Sequence, residues 1–468
     1  MGRSLYAESL ASAQSAWRSG DVEATLQHAS ALFGALSTPP FPLPLPGGIC
    51  ELDVIFDELG ATLGASLDSD VRGAHSGNWV LATLLYETGG HTPVVRDLAS
   101  ALPDGLSGLV VTLAGSHLSD LKPSAVARTG LGAEEIHHAH APTLYGTCES
   151  ILRVFRGRPP KRVFLLHHSE DVAAVVAAAA LASRGTELWL VHHSDSKPSA
   201  GLFLRRARII DLTPRACAFT RHVMGLQTIF LPLTCPDPGP GPGGFLYRGR
   251  LRTALAGSAF KASQTSIHSY PEVLTAVLNA SGGTHVHVGP LSDSQLEAIR
   301  TSLDARGIHR SRFVHVPVAR TLVDALRAER VDLLINTWPY GGARTVVEAM
   351  AAGVPAVWHS PSPDDDLTRL HMAWPGAPVW RQLSDLTGII RGADASWMAT
   401  QSAAARRHYE ARHHPSFWRQ FFASPDSSSG LPLPDAYDAS LFASTPWSEL
   451  LRGAIEIADP VGAHPSRS

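Results

Sequence analysis

Gly341 and Gly342 are the residues through which this chain can take hold of a phosphate. Adjacent glycines adopt positive φ or let a ligand approach the backbone closely, and the sequence after them predicts a helix from Ala343 or Arg344. Free N–H groups and the positive end of the helix dipole then face whatever lies above the turn, which makes an anion site. Thr345 adds a hydroxyl in the first turn. Glu348 follows one turn later and leans back toward the helix start. A carboxylate there repels a phosphate but accepts hydrogen bonds from the two hydroxyls of a ribose. Pro339 and Tyr340 precede the glycines and can approach a sugar, although Tyr340 equally suits a packed position. Strand, glycine turn and helix occur in any α/β protein, so alone the stretch also fits a plain turn.

Other residues of the right type sit after predicted strands. Lys261, in Gly257-Ser258-Ala259-Phe260-Lys261, can neutralise a diphosphate as it leaves, with Ser258 beside it. The alternative is a solvated lysine at a helix start. Glu87-Thr88-Gly89-Gly90-His91-Thr92 offers backbone N–H groups and an imidazole whose ordinary pKa near 6.5 suits general-base work. Gly89, Gly90, His91 and Thr92 are read as acceptor-side contacts; otherwise they are a turn and a helix start. His167-His168 and His192-His193 each end a predicted strand. Neighbours on a strand point to opposite faces, so neither pair is expected to bind one ion, and His168 and His193 are read as acceptor-side contacts. Asp364-Asp365-Asp366 reads as a solvated loop, and His137, His138 and His140 have no clear context. No metal and no cofactor are expected.

The elements that must position these groups alternate in type. Residues 4–37 read as a helix pair broken at Ser19-Gly20-Asp21, similar to one tetratricopeptide-like hairpin, with another helix over Cys50–Leu67. A single hairpin cannot stand as a solenoid, so residues 1–76 are taken as a packed-on helical appendage with a protein-binding role open to it. Strands are predicted at Trp79–Tyr86, Gly108–Leu113, Arg162–His167, Glu187–His192, Arg208–Leu212 and Thr228–Leu233, and helices at Pro93–Ala101 and Asp171–Ser183, giving a parallel α/β domain over 77–235. The proline- and glycine-rich stretch 236–244 reads as a linker. Alternation restarts over 245–423, with strands at Leu251–Ala256, Thr284–Val288, Arg312–Val316 and Val331–Ile335 and a long helical run over Ala393–Phe422. A Ser/Pro-rich tail, 424–468, carries a last helix at Trp447–Ile457.

The wording WPYGGARTVVEAMAAGVP, placed after a buried strand, resembles the donor-binding element of glycosyltransferases with the GT-B architecture. Its likeness is to the O-GlcNAc transferase group and the related bacterial cytoplasmic N-glycosyltransferases. The resemblance implies two Rossmann-like domains facing a cleft, a C-terminal helix crossing back to the first domain, and a UDP-sugar donor used with inversion and without metal. It implies donor contacts from Lys261, Gly341, Gly342, Arg344 and Thr345, and an essential histidine at His91. Val316, Val318 and Arg320 would lie along the nucleotide base. Glu348 stands where that group often has aspartate, which leaves the sugar open.

A formal charge of −3 over 468 residues argues against a broad grip on nucleic acid. No apolar run reaches the roughly 20 residues that span a bilayer, and the start lacks a signal-peptide core. Four scattered cysteines fit reduced thiols. The expectation is a bacterial cytoplasmic hexosyl- or N-acetylhexosaminyltransferase acting on a protein, glycan or small-molecule acceptor. A nucleotide-sugar 2-epimerase of the same fold and an inert binding subunit are the alternatives.

Overall fold

Strands such as Val163-Phe164-Leu165-Leu166 are buried along their length, which requires cover on both faces of the sheet. The computed structural model describes residues 2–37, 46–66, 76–87, 90–113, 120–193, 195–239, 249–257, 261, 268–360, 370–425 and 430–432. The chain divides into one unit of Met1–Pro232 with Trp418–Ser468 and another of Leu233–Phe417. Asp364–Asp366 and the expected helix at Trp447–Ile457 lie outside the described residues.

In the first unit β1 (Asn78–Ala82), β2 (Gly108–Val111), β3 (Ile136–His138), β4 (Arg162–Leu166), β5 (Glu187–His192), β6 (Ala207–Asp211) and β7 (Thr228–Phe230) form one sheet in the order β3-β2-β1-β4-β5-β6-β7. Every pairing is parallel. The first strand ends four residues earlier than the sequence suggests, because the Thr83 hydroxyl turns away to Asp171 Oδ2 at 2.6 Å. His137 and His138, without context in the sequence, form the edge strand β3.

The helix Val172–Ser183, VAAVVAAAALAS, is buried on all sides, as a helix apolar around its whole circumference must be. Its small side chains admit a second helix at short range. Cys50–Ser66 lies there, with Gly60 so close that a Cβ would stand 2.6 Å from Ala179 Cβ. Asp53 of that helix accepts the backbone N–H groups of Gly201 at 2.7 Å and Phe203 at 2.8 Å. Glu23, on the helix Val22–Ser37, accepts those of Leu144 at 3.1 Å and Tyr145 at 2.8 Å. These two N–H groups open the helix Leu144–Val154, whose dipole favours the carboxylate. Leu26, Phe33 and Phe56 join one core with Val163 and Val175. The N-terminal helices therefore complete the first unit's core.

The last described helix also belongs to this unit. The run expected over Ala393–Phe422 breaks at His413–Pro415 into Ala395–Arg412 and Ser416–Ala423, since proline disfavours helix at the residue before it. Beyond the break, Phe421 and Phe422 pack edge-on against Trp189 and Phe164, with ring centroids 5.8 and 5.6 Å apart. Trp418 donates to the Pro232 carbonyl at 2.8 Å. Residues from Trp418 therefore fall with the first unit, where the sequence reading kept them in the second domain as far as 423.

The second unit holds β8 (Arg252–Ala256), β9 (Thr284–Val288), β10 (Phe313–Val316), β11 (Leu333–Ile335), β12 (Ala356–His359) and β13 (Val379–Trp380) in the order β10-β9-β8-β11-β12-β13. All pairings are again parallel. The stretch read as a free linker from 236 is fastened as far as Gly239. Asp237 pairs with Arg406 at 2.8 Å, and Arg327 donates to the Pro238 and Gly239 carbonyls at 3.1 and 2.7 Å.

Replacing Gly60 by leucine forces a side chain into Ala179 and Ala180. The expected loss is about 1–3 kcal/mol of stability, the usual cost of overpacking, read from denaturant midpoints. An unchanged midpoint would refute the close helix contact.

Candidate active site

In both sheets the strand order reverses at the middle, between β1 and β4 and between β8 and β11. Loops leaving the carboxyl ends of such neighbours diverge, and ligands bind where they part. Lys261, Gly341, Gly342, Arg344, Thr345 and Glu348 follow β8 and β11, and His91 and His168 follow β1 and β4, whereas His193 follows β5 and Val316 and Val318 lie at the end of the edge strand β10.

In the second unit Lys261, just beyond β8, donates from Nζ to the Gly341 carbonyl at 2.9 Å and to Thr337 Oγ1 at 3.4 Å, both in the loop after β11. That loop is folded on itself: Asn336 Oδ1 accepts Gly342 N–H at 2.8 Å, and Thr337 Oγ1 donates to the Tyr340 carbonyl at 2.8 Å. Neither Gly341 nor Gly342 has a positive φ. Gly342 is required for space, since a Cβ would collide with Thr345 Oγ1.

The helix Arg344–Ala351 begins at Ala343 with no side-chain cap, so no side chain takes up its first N–H groups. Thr345 Oγ1 is buried there without a hydrogen-bond partner. An uncapped helix start beside an orphaned hydroxyl offers donors to an anion. Glu348, expected to await a ribose, is already engaged: Oε1 accepts Arg344 Nε at 3.1 Å and Oε2 accepts Leu322 N–H at 3.0 Å. Each oxygen keeps a second lone pair. Pro339 and Tyr340 are partly buried, as is Val316. Val318 is an apolar side chain 64% exposed, and Arg320 is exposed and paired with Asp324. Ser258 lies outside the described residues.

In the first unit the two histidine pairs split as alternation along a strand requires. His167 Nε2 donates to the Ala200 carbonyl at 3.0 Å, and His192 Nδ1 donates to Asp211 Oδ1 at 2.7 Å. Their neighbours turn the other way. His193 Nε2 lies 2.6 Å from His91 Nε2, and the His168 ring centroid lies 5.0 Å from that of His91. Tyr86 joins the group through its hydroxyl, 2.9 Å from His168 Nε2. Among the described residues no group of three His, Cys, Asp or Glu side chains is arranged to hold a metal.

Two sequence readings change here. His91 is not an open loop imidazole of ordinary basicity. It is the first residue of the helix His91–Ala101 and 6% exposed, and burial, then the neighbouring His168, push its pKa down to about 3. The Leu84 backbone opposes this shift without forming a full hydrogen bond to Nδ1. Burial likewise lowers His168, against Glu170, and takes His193 well below its ordinary value, with His91 as the next cause. Thr92, read as an acceptor-side contact, is fully buried and closes the loop by donating to the Tyr86 carbonyl and accepting Tyr86 N–H, both at 2.8 Å. Gly90 is exposed at the helix start, and Gly89 lies outside the described residues.

Tyr86 and Asp171 escaped the sequence reading. Asp171 caps the alanine-rich helix through Ala174 N–H and gathers the hydroxyls of Thr83 and Thr112. Thr83 Oγ1 in turn accepts His168 N–H at 2.8 Å. Partners so far apart in the chain leave no local signal. The Arg344–Glu348 pair left a local signal that the sequence reading did not use, being spaced i, i+4 on one helix face.

No protein-family model matches this chain, and no curated protein matches it in sequence. Among solved structures it is similar to HepE of Anabaena in complex with UDP and glucose, at 14% identity and a TM-score of 0.53, over 75% of this chain and 99% of that one. It is also similar to a glycosyltransferase from Rickettsia africae, at 10% identity and a TM-score of 0.54, over 75% and 100%. A mutant O-GlcNAc transferase of Thermobaculum terrenum aligns at 15% identity and a TM-score of 0.47, over 98% and 85%. With its two parallel sheets and the first two likenesses, the chain has the two-domain α/β GT-B fold.

Because His91 resists protonation in the fold, the unfolded chain, with a histidine pKa of about 6.5, binds more protons. His91's contribution to stability is complete above about pH 6.5 and is lost as pH falls toward 3. Ring NMR signals of His91 should stay those of a neutral imidazole at pH 5; a midpoint near 6.5 would contradict the buried cluster.

Proposed function

We propose that this chain is a glycosyltransferase that moves a hexosyl or N-acetylhexosaminyl group from a UDP-sugar to an acceptor, with inversion and without a metal or other cofactor. The observation that carries this reading is Lys261 reaching from the end of β8 to the carbonyl of Gly341, beside an uncapped helix start with the orphaned Thr345 hydroxyl. Cation, free N–H groups and hydroxyl form one donor set for a diphosphate. Lys261 would exchange its carbonyl for phosphate oxygens, and its charge would stabilise the negative charge that develops as UDP leaves. Glu348 would add ribose hydroxyls to the bonds it already makes, and Val316, Val318, Pro339 and Tyr340 would line the base and sugar. That HepE was solved with UDP and glucose supports a UDP-sugar here.

On the acceptor side the neutral imidazoles around His91 can take the proton of an acceptor hydroxyl or amide as it attacks the anomeric carbon. The acceptor would be a glycan, a small molecule or a protein. The apolar faces of the N-terminal helices lie in the first unit's core, so a protein partner would meet their polar sides. None of Cys50, Cys148, Cys217 and Cys235 forms a disulfide, which supports a cytoplasmic setting.

A panel of nucleotide sugars in a thermal-shift assay tests the donor reading. A UDP-sugar at a hundredfold its Kd should add about 2.7 kcal/mol of stability. Lys261→Ala should abolish that shift or lower turnover by about 10²–10³, the effect of losing one transition-state donor. Glu348→Gln, which keeps the side chain's shape, should weaken binding of UDP more than of inorganic pyrophosphate. If no nucleotide sugar raises the melting temperature, the proposal fails.

A further inference from the structure

His193, not His91, stands on the outer side of the imidazole pair. His91 is buried, and both its nitrogens are enclosed: Nε2 by His193 at 2.6 Å, Nδ1 by the protein around it. His193 is only partly buried. Two ring nitrogens this close share one proton, since two protons would clash and none would set lone pair against lone pair. The ring planes meet at 84° with centroids 4.1 Å apart, and one Nε2–H hydrogen-bonds to the other Nε2. His192, the preceding residue, is locked to Asp211, which also accepts from Thr228 at 2.7 Å. That lock fixes the end of β5 and holds His193 over His91.

We propose that His193 is the residue that takes the acceptor proton, and that His91 stands behind it as a relay. This rests on the glycosyltransferase reading above. As the acceptor oxygen or nitrogen bonds to the anomeric carbon and the bond to UDP breaks, the acceptor's proton passes to His193 Nδ1. The proton on His193 Nε2 is then shared with His91 Nε2 across the short contact. One proton has entered the pair, and its positive charge is spread over both rings rather than placed on buried His91 alone. After product leaves, both steps reverse and the proton goes to water. The resting pair must then hold His193 as its Nε2–H tautomer and His91 as its Nδ1–H tautomer, with His91 Nδ1 turned toward the Leu84 backbone. The Tyr86 ring lies beside His91, with centroids 5.8 Å apart.

Two measurements test this. Ring ¹⁵N NMR of the full chain reads the tautomers without any substrate. The expected result is Nε2–H on His193 and Nδ1–H on His91; the reverse assignment overturns the relay whether or not the chain transfers sugar. The second compares His193→Ala, His193→Gln and His91→Gln for release of UDP from UDP-glucose and from UDP-N-acetylglucosamine with water as acceptor. Each variant should keep the wild-type donor-induced thermal shift yet lose about 10²-fold or more in kcat, as expected on removing a general base. Added imidazole should restore part of the rate to His193→Ala but not to His91→Gln, whose cavity is enclosed. A His193→Ala or His193→Gln rate within threefold of wild type, with the donor shift intact, overturns the assignment. Absence of a donor shift in the wild type would instead count against the glycosyltransferase reading, and the tautomers would still decide the pair.

Discussion

A parallel sheet wound outward in both directions from its middle is the constraint on which the rest depends. Each half of this chain obeys it, with order reversal at β1/β4 and β8/β11. Right-handed crossovers place successive helices on opposite faces on the two sides of that point, so the loops there separate. The same winding turns the helix N-termini toward the carboxyl ends of the strands. The positive ends of the peptide dipoles therefore gather there. In the second unit that field sits beside Lys261 and an unpartnered hydroxyl, and it favours an anion. In the first unit His91 is the first residue of its helix, and burial, then the neighbouring His168, lowers its pKa.

The histidine cluster is held in place by packing some distance away. The alanine-rich helix is covered by the sheet on one side and by Cys50–Ser66 on the other. Its capping residue Asp171 draws in Thr83 and Thr112 from the ends of β1 and β2, and Thr83 holds the backbone of His168. Bonds to a buried carboxylate contribute roughly 1.5–3 kcal/mol each. The N-terminal helices thus connect to the chemistry through one carboxylate. Truncating them would expose the outer face of a helix that has no polar side to show to water.

The two sites are built on opposite principles. The phosphate cradle leaves donors unsatisfied, an arrangement that holds free energy in reserve for a ligand. Its one acid, Glu348, is restrained by Arg344 and by the start of the Leu322–Ala328 helix. In the imidazole cluster the two Nε2 atoms of His91 and His193 answer each other, while His91 Nδ1 is left without a hydrogen-bond partner. The proposed roles, binding a diphosphate in one and moving a proton in the other, would draw on this difference.

Sequence alone determined the alternation of strands and helices and the two-domain α/β architecture, and it singled out Gly341, Gly342, Thr345 and Lys261, which the structure brings together around one loop. These follow from local pattern: apolar runs of strand length, glycine pairs before a helix, a lysine after a strand. It also separated each histidine pair correctly, since period-two alternation settles which neighbour turns which way. Only the tertiary structure decided that Thr92 is a loop fastener, that Glu348 is shared with Arg344, that Trp418–Phe422 return to the first unit, and that His91 is shielded by His193. The last two depend on contacts between distant parts of the chain, which leave no trace in local spacing, whereas the Thr92–Tyr86 and Arg344–Glu348 contacts are local and took their meaning only from the folded loop and helix around them. The glycine pair kept its meaning but changed its reason: Gly342 is needed for the room it leaves to Thr345, not for a left-handed turn.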